Sequence, residues 1–376
     1  MGPLEGLKIV EFAGIGPGPL CGTFLGDMGA DVIRIDRTGG APALGANGAL
    51  SRNRRSIALN LKDPRAIEIV FKLLEGADGV FEPFRPGVME RLGLGPEACR
   101  ARNPRLVYGR MTGWGQDGPL AMAAGHDINY IAITGALHAI GEPDRVPPPP
   151  LNLIGDFGGG GLLLAYGMVC GLLSAQRTGK GQVIDSAMVD GAGMLMAMIY
   201  GVKHLGLWSD ERGGNTLDGG AHFYGCYETA DGKYVSLGSI EPQFYALLRE
   251  KLGLTEADFD AQHDKARWPR LKAKLARIFK TQTRDHWEAL LGGTDVCFGP
   301  VLDLNEAPRH PHNVARRAFI EIDGEIQPAP APRFGGTPAG VARGRAEAGE
   351  HTDEVLREAG FAPATIAVLR EAGAIG

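Results

Sequence analysis

No two cysteines of this chain stand in Cys-x-x-Cys spacing, and the five present (Cys21, Cys99, Cys170, Cys226 and Cys297) are odd in number and widely scattered. That scatter argues against a disulfide framework or a zinc ribbon and fits reduced thiols in a cytoplasmic protein. An excess of basic charge is also missing. The 39 Lys and Arg against 44 Asp and Glu leave a formal charge of −5, which speaks against a general nucleic-acid binder. The phosphate loop of ATPases is absent, because Thr178-Gly179-Lys180-Gly181 has the wrong spacing and ends in glycine. The N-terminus shows no basic stretch followed by an apolar one, so no secretory signal is expected. The most apolar run, residues 161–175, is too short to span a bilayer and predicts a buried core helix, so no membrane partner is expected.

What is present is enough chain, 376 residues, for a large α/β domain and a smaller one. Apolar runs at residues 7–12 and 32–35 flank a Gly/Pro turn at residues 14–19, a βαβ opening. Further strands are predicted at residues 79–81 and 106–108, and Asp63-Pro64 opens an amphipathic helix closed by Gly76. The order predicts a parallel sheet with helices on both faces. Asp36 follows the glycines at about the spacing of a dinucleotide-binding acid, but Pro19 holds the third glycine position and Pro17 and Pro19 remove N–H donors, which disfavours a nicotinamide cofactor. Arg37, Arg52, Arg54, Arg55, Lys62, Arg85 and Arg91 fall near predicted strand ends and point to a phosphate-rich small molecule.

The second half predicts a β-hairpin at residues 224–237 turning at Asp231-Gly232, a helix from Pro242 through Leu248, a basic amphipathic segment at 266–279, a Pro-rich linker at 326–340, and closing helices at 353–357 and 365–371. The expected organisation is a large domain over 1–190, a linker helix and loop over 191–222, a small α+β domain over 223–325, and a return linker with C-terminal helices over 326–376 that packs on the large domain.

Three proton-handling groups stand at predicted helix entrances. His126-Asp127 precedes a helix predicted at residues 128–138, Asp156 precedes the apolar helix, and Glu241 precedes Pro242. A histidine accepts a proton near neutrality, and the first N–H groups of a helix can hold a developing oxyanion. Singly, each has a plain structural role, a packed loop histidine or an aspartate cap. Together they are the parts needed to make an enolate.

Colinear motifs then suggest a family. They include Gly6-Leu-Lys-Ile-Val-Glu11, Gly29-Ala-Asp31-Val-Ile-Arg-Ile-Asp-Arg37, Thr112-Gly-Trp-Gly-Gln116, Gly125-His-Asp-Ile-Asn-Tyr130, Asp218-Gly-Gly-Ala221 and Gly238-Ser-Ile-Glu-Pro-Gln-Phe244. Nearly end to end the chain resembles the family III CoA-transferase superfamily, and within it the branch that epimerises 2-methylacyl-CoA thioesters. The resemblance implies an α/β fold with a Rossmann-like large domain and a smaller α+β domain, in an interlocked homodimer whose active site lies at the subunit interface. It implies His126 and Asp156 as the catalytic pair with Glu241 supporting His126. It also implies Arg37, the Leu59-Asn60-Leu61-Lys62 segment and Gly125, Asp127 and Tyr130 as binders of the CoA thioester, beside Arg85 and Arg91 from the charge pattern. No metal or redox cofactor is required, since CoA is part of the substrate.

Inverting a carbon acid requires two acid/base groups on opposite sides of one carbon, so whichever face His126 serves, Asp156 must serve the other. The rival within the family is a CoA-transferase with Asp127 as nucleophile. A nicotinamide-dependent oxidoreductase and a non-catalytic CoA-binding protein are the readings from other classes. One position departs from the expected pattern: His222 follows Ala221 where a proline is usual.

Overall fold

The computed structural model describes residues 2–39 and 48–376. The chain opens with β1 (Lys8–Phe12), α1 (Pro17–Asp27), β2 (Asp31–Arg37), β3 (Arg54–Leu59), α2 (Pro64–Glu75), β4 (Gly79–Glu82), α3 (Val88–Arg91), α4 (Pro96–Arg102) and β5 (Val107–Thr112). It continues through α5 (Asp127–Ala132), α6 (Ala136–Ala139), a π-helix (Leu153–Leu162), α7 (Leu163–Thr178), β6 (Val183–Ala187), α8 (Met188–Leu195) and α9 (Ala197–His204). Next come β7 (Tyr224–Glu228), β8 (Tyr234–Gly238), α10 (Pro242–Leu252), α11 (Trp268–Phe279), α12 (Arg284–Leu291), β9 (Phe298–Val301) and α13 (Pro311–Arg316). A hairpin of β10 (Phe319–Ile322) and β11 (Glu325–Pro328) precedes α14 (Thr352–Glu358) and α15 (Pro363–Glu371).

Two compact units result, one made of Met1–Thr134, Leu151–Met196 and Arg317–Gly376, the other of Gly135–Pro150 and Ala197–Arg316. The first holds the expected sheet: six strands in the order β3-β2-β1-β4-β5-β6, every pairing parallel. Strands β4 and β5 are buried at every position, as a sheet covered on both faces requires. On one face α2, α14 and α15 bring Ile69, Leu74, Val355, Leu356, Ile366 and Leu369 against Val10, Ile35, Ile57 and Val80. On the other, α7 lays Leu164, Met168 and Leu172 against Ile9, Phe81 and Val107. The strand order reverses between β1 and β4, and the crevice beyond their C-terminal ends is where open α/β sheets bind ligands.

Strands β3 and β6 have no counterpart among the expected strands, and Arg52, Arg54 and Arg55 at β3 were expected to be ligand-facing cations. They are buried and neutralised from within. Arg54 Nε lies 3.1 Å from Glu11 Oε2 of β1, Arg52 Nη2 2.6 Å from Asp27 Oδ2, and Arg55 Nη2 2.6 Å from Asp31 Oδ2. Arg54 also donates to Thr23 Oγ1 and to the carbonyls of Pro19 and Arg52.

Two helices differ from expectation. The helix predicted over 128–138 breaks after α5, and Gly135, at φ 81°, takes the left-handed conformation that caps α6. The apolar helix starts eight residues earlier than the run at 161–175, since the π-helix flows directly into α7. The combined 26 residues, Leu153–Thr178, are long and apolar enough to cross a membrane by length and composition, which corrects the expectation of a short run. Its inner face is core of the first unit. Glycines allow the π-winding to pack backbone on backbone. A Cβ added at Gly191 of α8 would stand 1.9 Å from the carbonyl oxygen of Gly159. We expect Gly191→Ala to cost about 1–3 kcal/mol of stability, read as a lowered thermal midpoint, because neither backbone can yield without displacing its helix.

In the second unit, β7, β8 and β9 form an antiparallel sheet whose hairpin turns through Gly232 at φ 73°, as the Asp231-Gly232 signal predicts. Its core gathers Phe223, Tyr227, Val235, Leu248, Leu271, Phe279 and Trp287. His222 is fully buried there, its Nε2 2.7 Å from the Tyr245 hydroxyl. Burial and the neighbouring His263 hold His222 down to about 4. The residue that departs from the expected pattern is thus an uncharged core histidine.

Glu82, at the end of β4, makes the sheet's pH response testable. Burial lifts its carboxyl from the ordinary 4.5 to about 7, against the opposing pull of the Phe84 amide and Arg110. The folded chain therefore holds this proton more tightly than the unfolded one. The resulting stabilisation is complete below about pH 4.5 and is lost as the pH rises through about 7. Glu82→Gln is expected to flatten the fall in unfolding free energy between about pH 5 and 8, measured by urea titration at each pH.

Candidate active site

A cavity of about 790 Å³ opens at the switch point, lined by the β1–α1 loop (Ile15, Gly16), the β4–α3 loop (Pro83, Phe84, Arg85), the end of β5 through Trp114, and by Gly125, His126, Tyr130 and Asp156. Its size suits a small-molecule site. Phe84, Met111, Trp114, Phe157 and Met188 give it apolar walls.

His126 is the N-cap of α5 with extended backbone (φ −134°, ψ 174°), and its own N–H donates to Asn129 Oδ1 at 3.1 Å. The amides of Asp127 and Ile128 follow at the first two helical positions, ahead of any intrahelical acceptor. The imidazole is exposed at the cavity, and the residue before it is anchored: Tyr130 donates its hydroxyl to the Gly125 carbonyl and meets the Trp114 ring edge-on at 4.8 Å.

Asp156 sits within the first turns of the π-helix, not ahead of the helix as the sequence suggested. Burial raises its carboxyl above the ordinary aspartate value. The hydrogen bond from Asn152 opposes that rise, the Asp127 charge adds to it, and His126 opposes it. Asn152 Nδ2 donates to Asp156 Oδ2 at 3.2 Å, a contact whose only sequence signal is the four-residue spacing. Gly16, at φ 67°, lies against the same carboxyl: a Cβ there would come within 3.1 Å of Asp156 Oδ2. The glycine turn that imitates a dinucleotide loop therefore makes room for an acid, and Asp36 is already engaged by Arg34 and Ser56.

Asp127 is 5 % exposed; its Oδ2 accepts the Asp156 N–H at 2.7 Å and its Oδ1 is buried without a hydrogen-bond partner among the described residues.

Of the expected site residues, His126, Asp156, Gly125, Tyr130 and Arg85 line one cavity. The others do not line it. Arg37 ends β2, Lys62 follows β3 and Arg91 ends α3, all exposed near the sheet's C-terminal edge. The Leu59 side chain is buried in the core, while Asn60 and Leu61 are half-buried. Glu241 belongs to the second unit, where it is the exposed N-cap of α10. No cluster of three or more His, Cys, Asp or Glu with metal-binding geometry occurs among the described residues.

A doubly wound sheet with a histidine and an acid facing one cavity at its switch point is the architecture of a family, and the sequence pattern of CoA-transferase family III matches residues 4–352: the chain belongs to that family. It is 47 % identical over 369 residues to the alpha-methylacyl-CoA racemase of Mus musculus, covering 97 % of this chain and 96 % of that one. The Homo sapiens alpha-methylacyl-CoA racemase is 45 % identical, covering 95 % and 94 %. Among solved structures, a CAIB/BAIF family protein from Brucella suis superposes with a TM-score of 0.83 at 28 % identity, covering 95 % of this chain and 99 % of that one.

Proposed function

We propose that the chain epimerises the α-carbon of 2-methylacyl-CoA thioesters by 1,1-proton transfer through an enolate. The observation that carries this reading is the facing of His126 and Asp156 into one cavity while the third carboxylate, Asp127, is sealed from it. In one direction His126 removes the α-proton and Asp156, whose protonated form its burial favours, returns one to the opposite face; in the other the roles exchange. The amides at the start of α5 are placed to receive charge on the thioester oxygen.

The two resting forms, neutral His126 with protonated Asp156 and protonated His126 with ionised Asp156, carry the same number of protons. Both directions must therefore share one bell-shaped pH profile of kcat/KM, whose limbs belong to the pair. Measuring kcat/KM across pH in wild type and in Asp156→Asn checks this; a bell whose two limbs stay unmoved in Asp156→Asn would contradict it.

A CoA-transfer reading needs Asp127 to attack the thioester. One oxygen of that carboxylate is bound to the Asp156 amide and the other is buried, which supports epimerisation over transfer. Hydroxylamine trapping during turnover, followed by mass analysis of the Asp127 peptide, is expected to leave Asp127 unmodified. A hydroxamate there would establish the transferase route.

Recognition of the CoA moiety is assigned to Arg37, Arg85 and Arg91 and to the segment from Leu59 to Lys62, cations and backbone at the C-terminal edge of the sheet. The reading also includes an interlocked homodimer in which Glu241 of the partner subunit supports His126. An exposed apolar stripe on α7, Tyr166, Val169 and Leu173 with Leu162 just before it, recurs at the four-three-four spacing of a packing face and favours a second copy as its cover. No cofactor beyond the CoA of the substrate is invoked.

A further inference from the structure

We propose that the Asp127 side chain is a positioning residue: by accepting the backbone N–H of Asp156 it fixes where the Asp156 carboxyl points in the cavity. The inference rests on the epimerase reading and adds a role for the one carboxylate that reading leaves idle.

The N–H groups in the first turn of a helix have no intrahelical acceptor and need one from outside. The residue preceding the π-helix, Asn152, does not supply it. It makes no side-chain cap bond and spends its amide on the Asp156 carboxyl. The acceptor comes instead from Asp127, 29 residues earlier, over 2.7 Å. A bond from N–H to a carboxylate is charge-assisted and holds its geometry more firmly than a neutral one.

Gly155 makes the approach possible, since a Cβ at that position would lie 2.7 Å from Asp127 Oδ2 and 2.9 Å from its Cγ. Asp127 also opens α5, whose N-cap is His126. One short side chain thus ties the backbone carrying the imidazole to the backbone carrying the acid, so the two proton-handling groups keep a fixed relation. Its Oδ1 is buried without a hydrogen-bond partner among the described residues, a desolvation cost that the bond to the Asp156 amide helps to offset.

The charge matters as well as the bond. Of the elements packed on the π-helix, α5 brings His126, Asp127 and Tyr130 near Asp156, and Arg85 acts on Tyr130. The charged groups of the other elements are occupied or in solvent: Asp27 of α1 with Arg52, Arg110 of β5 with Glu82 and Glu90, Asp185 of β6 with the Gln116 amide, and Arg177 of α7 and Asp190 of α8 exposed. Asp127 is therefore the acidic neighbour that opposes ionisation of Asp156.

Two variants separate bond from charge, assayed with single epimers of a 2-methylacyl-CoA. Asp127→Ala removes both and is expected to lower kcat about 100-fold with KM changed less than about threefold. Asp127→Asn keeps an acceptor and the volume, and is expected to retain kcat within about tenfold of wild type while its alkaline limb moves to lower pH. Gly155→Ala, which keeps the Asp127 carboxylate in the chain but pushes it off the Asp156 amide, should reproduce the Asp127→Ala loss. Asp127→Ala turning over at the wild-type rate would overturn the proposal, as would Asp127→Asn as inactive as Asp127→Ala with an unmoved pH profile. Should Asp127→Ala fail to fold, the limb position in Asp127→Asn decides alone. If wild type itself takes up no α-deuterium from heavy water, the epimerase reading fails; if wild type exchanges and Asp127→Ala exchanges equally fast, the positioning role fails on its own.

Discussion

His126→Ala and Asp156→Asn are each expected to lower inversion of a 2-methylacyl-CoA by about 10²–10⁴-fold, the range in which positioned acid/base groups contribute. The losses should not be alike in kind. Each variant keeps the base on the other face, so in heavy water Asp156→Asn should still exchange the α-proton of the epimer that His126 serves, with retention of configuration. His126→Ala should exchange only the other epimer. Proton NMR of the α-position alongside chiral analysis of the acyl group checks both. Exchange of the same epimer by both variants would mean that the two groups do not serve opposite faces.

Arg54→Ala is expected to give the largest loss of stability, about 3–5 kcal/mol, because it strands the buried Glu11 carboxylate without its charge partner. Glu11 is already raised by burial, with Arg54 the leading group that opposes the rise, and its Oε1 has no hydrogen-bond partner among the described residues. Removing the guanidinium also takes one donor from the Pro19 carbonyl and one from the Thr23 hydroxyl in α1, which are left with each other, next to the glycine turn that faces Asp156. Replacing both partners with leucine should recover most of the loss, since an apolar pair of similar volume needs no compensating charge. Denaturant unfolding of the single and double variants measures both effects; a double variant no more stable than Arg54→Ala would show that the pair is not the source.

The same arginine marks the limit of what the sequence discloses. Strands β1, β2, β4 and β5 are legible because apolar runs bounded by turns have few other uses. Strand β3 is hidden, since Arg54 and Arg55 look like solvent or ligand charges until Glu11 and Asp31, from strands far along the chain, come alongside. The π-helix is hidden for the opposite reason. Its glycines look like loop, and only the close backbone of Gly191 reveals them as packing positions.

At the site, His126 and Asp156 stand out through motifs that resemble the family. The hydrogen bond from the Asp156 backbone N–H to the Asp127 carboxylate leaves no periodicity in the sequence, because it joins a backbone group to a side chain 29 residues earlier. Nor does composition reveal that Gly16 lies against the Asp156 carboxyl.

The most direct measurement uses wild-type protein and one pure epimer of a 2-methylacyl-CoA in heavy water, sampled at the earliest times for both configuration and isotope. The two-group account predicts that the opposite epimer appears already carrying one α-deuterium, because its new proton comes from a solvent-equilibrated group on the far face. Opposite epimer that arrives with the original α-hydrogen, or CoA passed to a free carboxylic acid with no change of configuration, would contradict it.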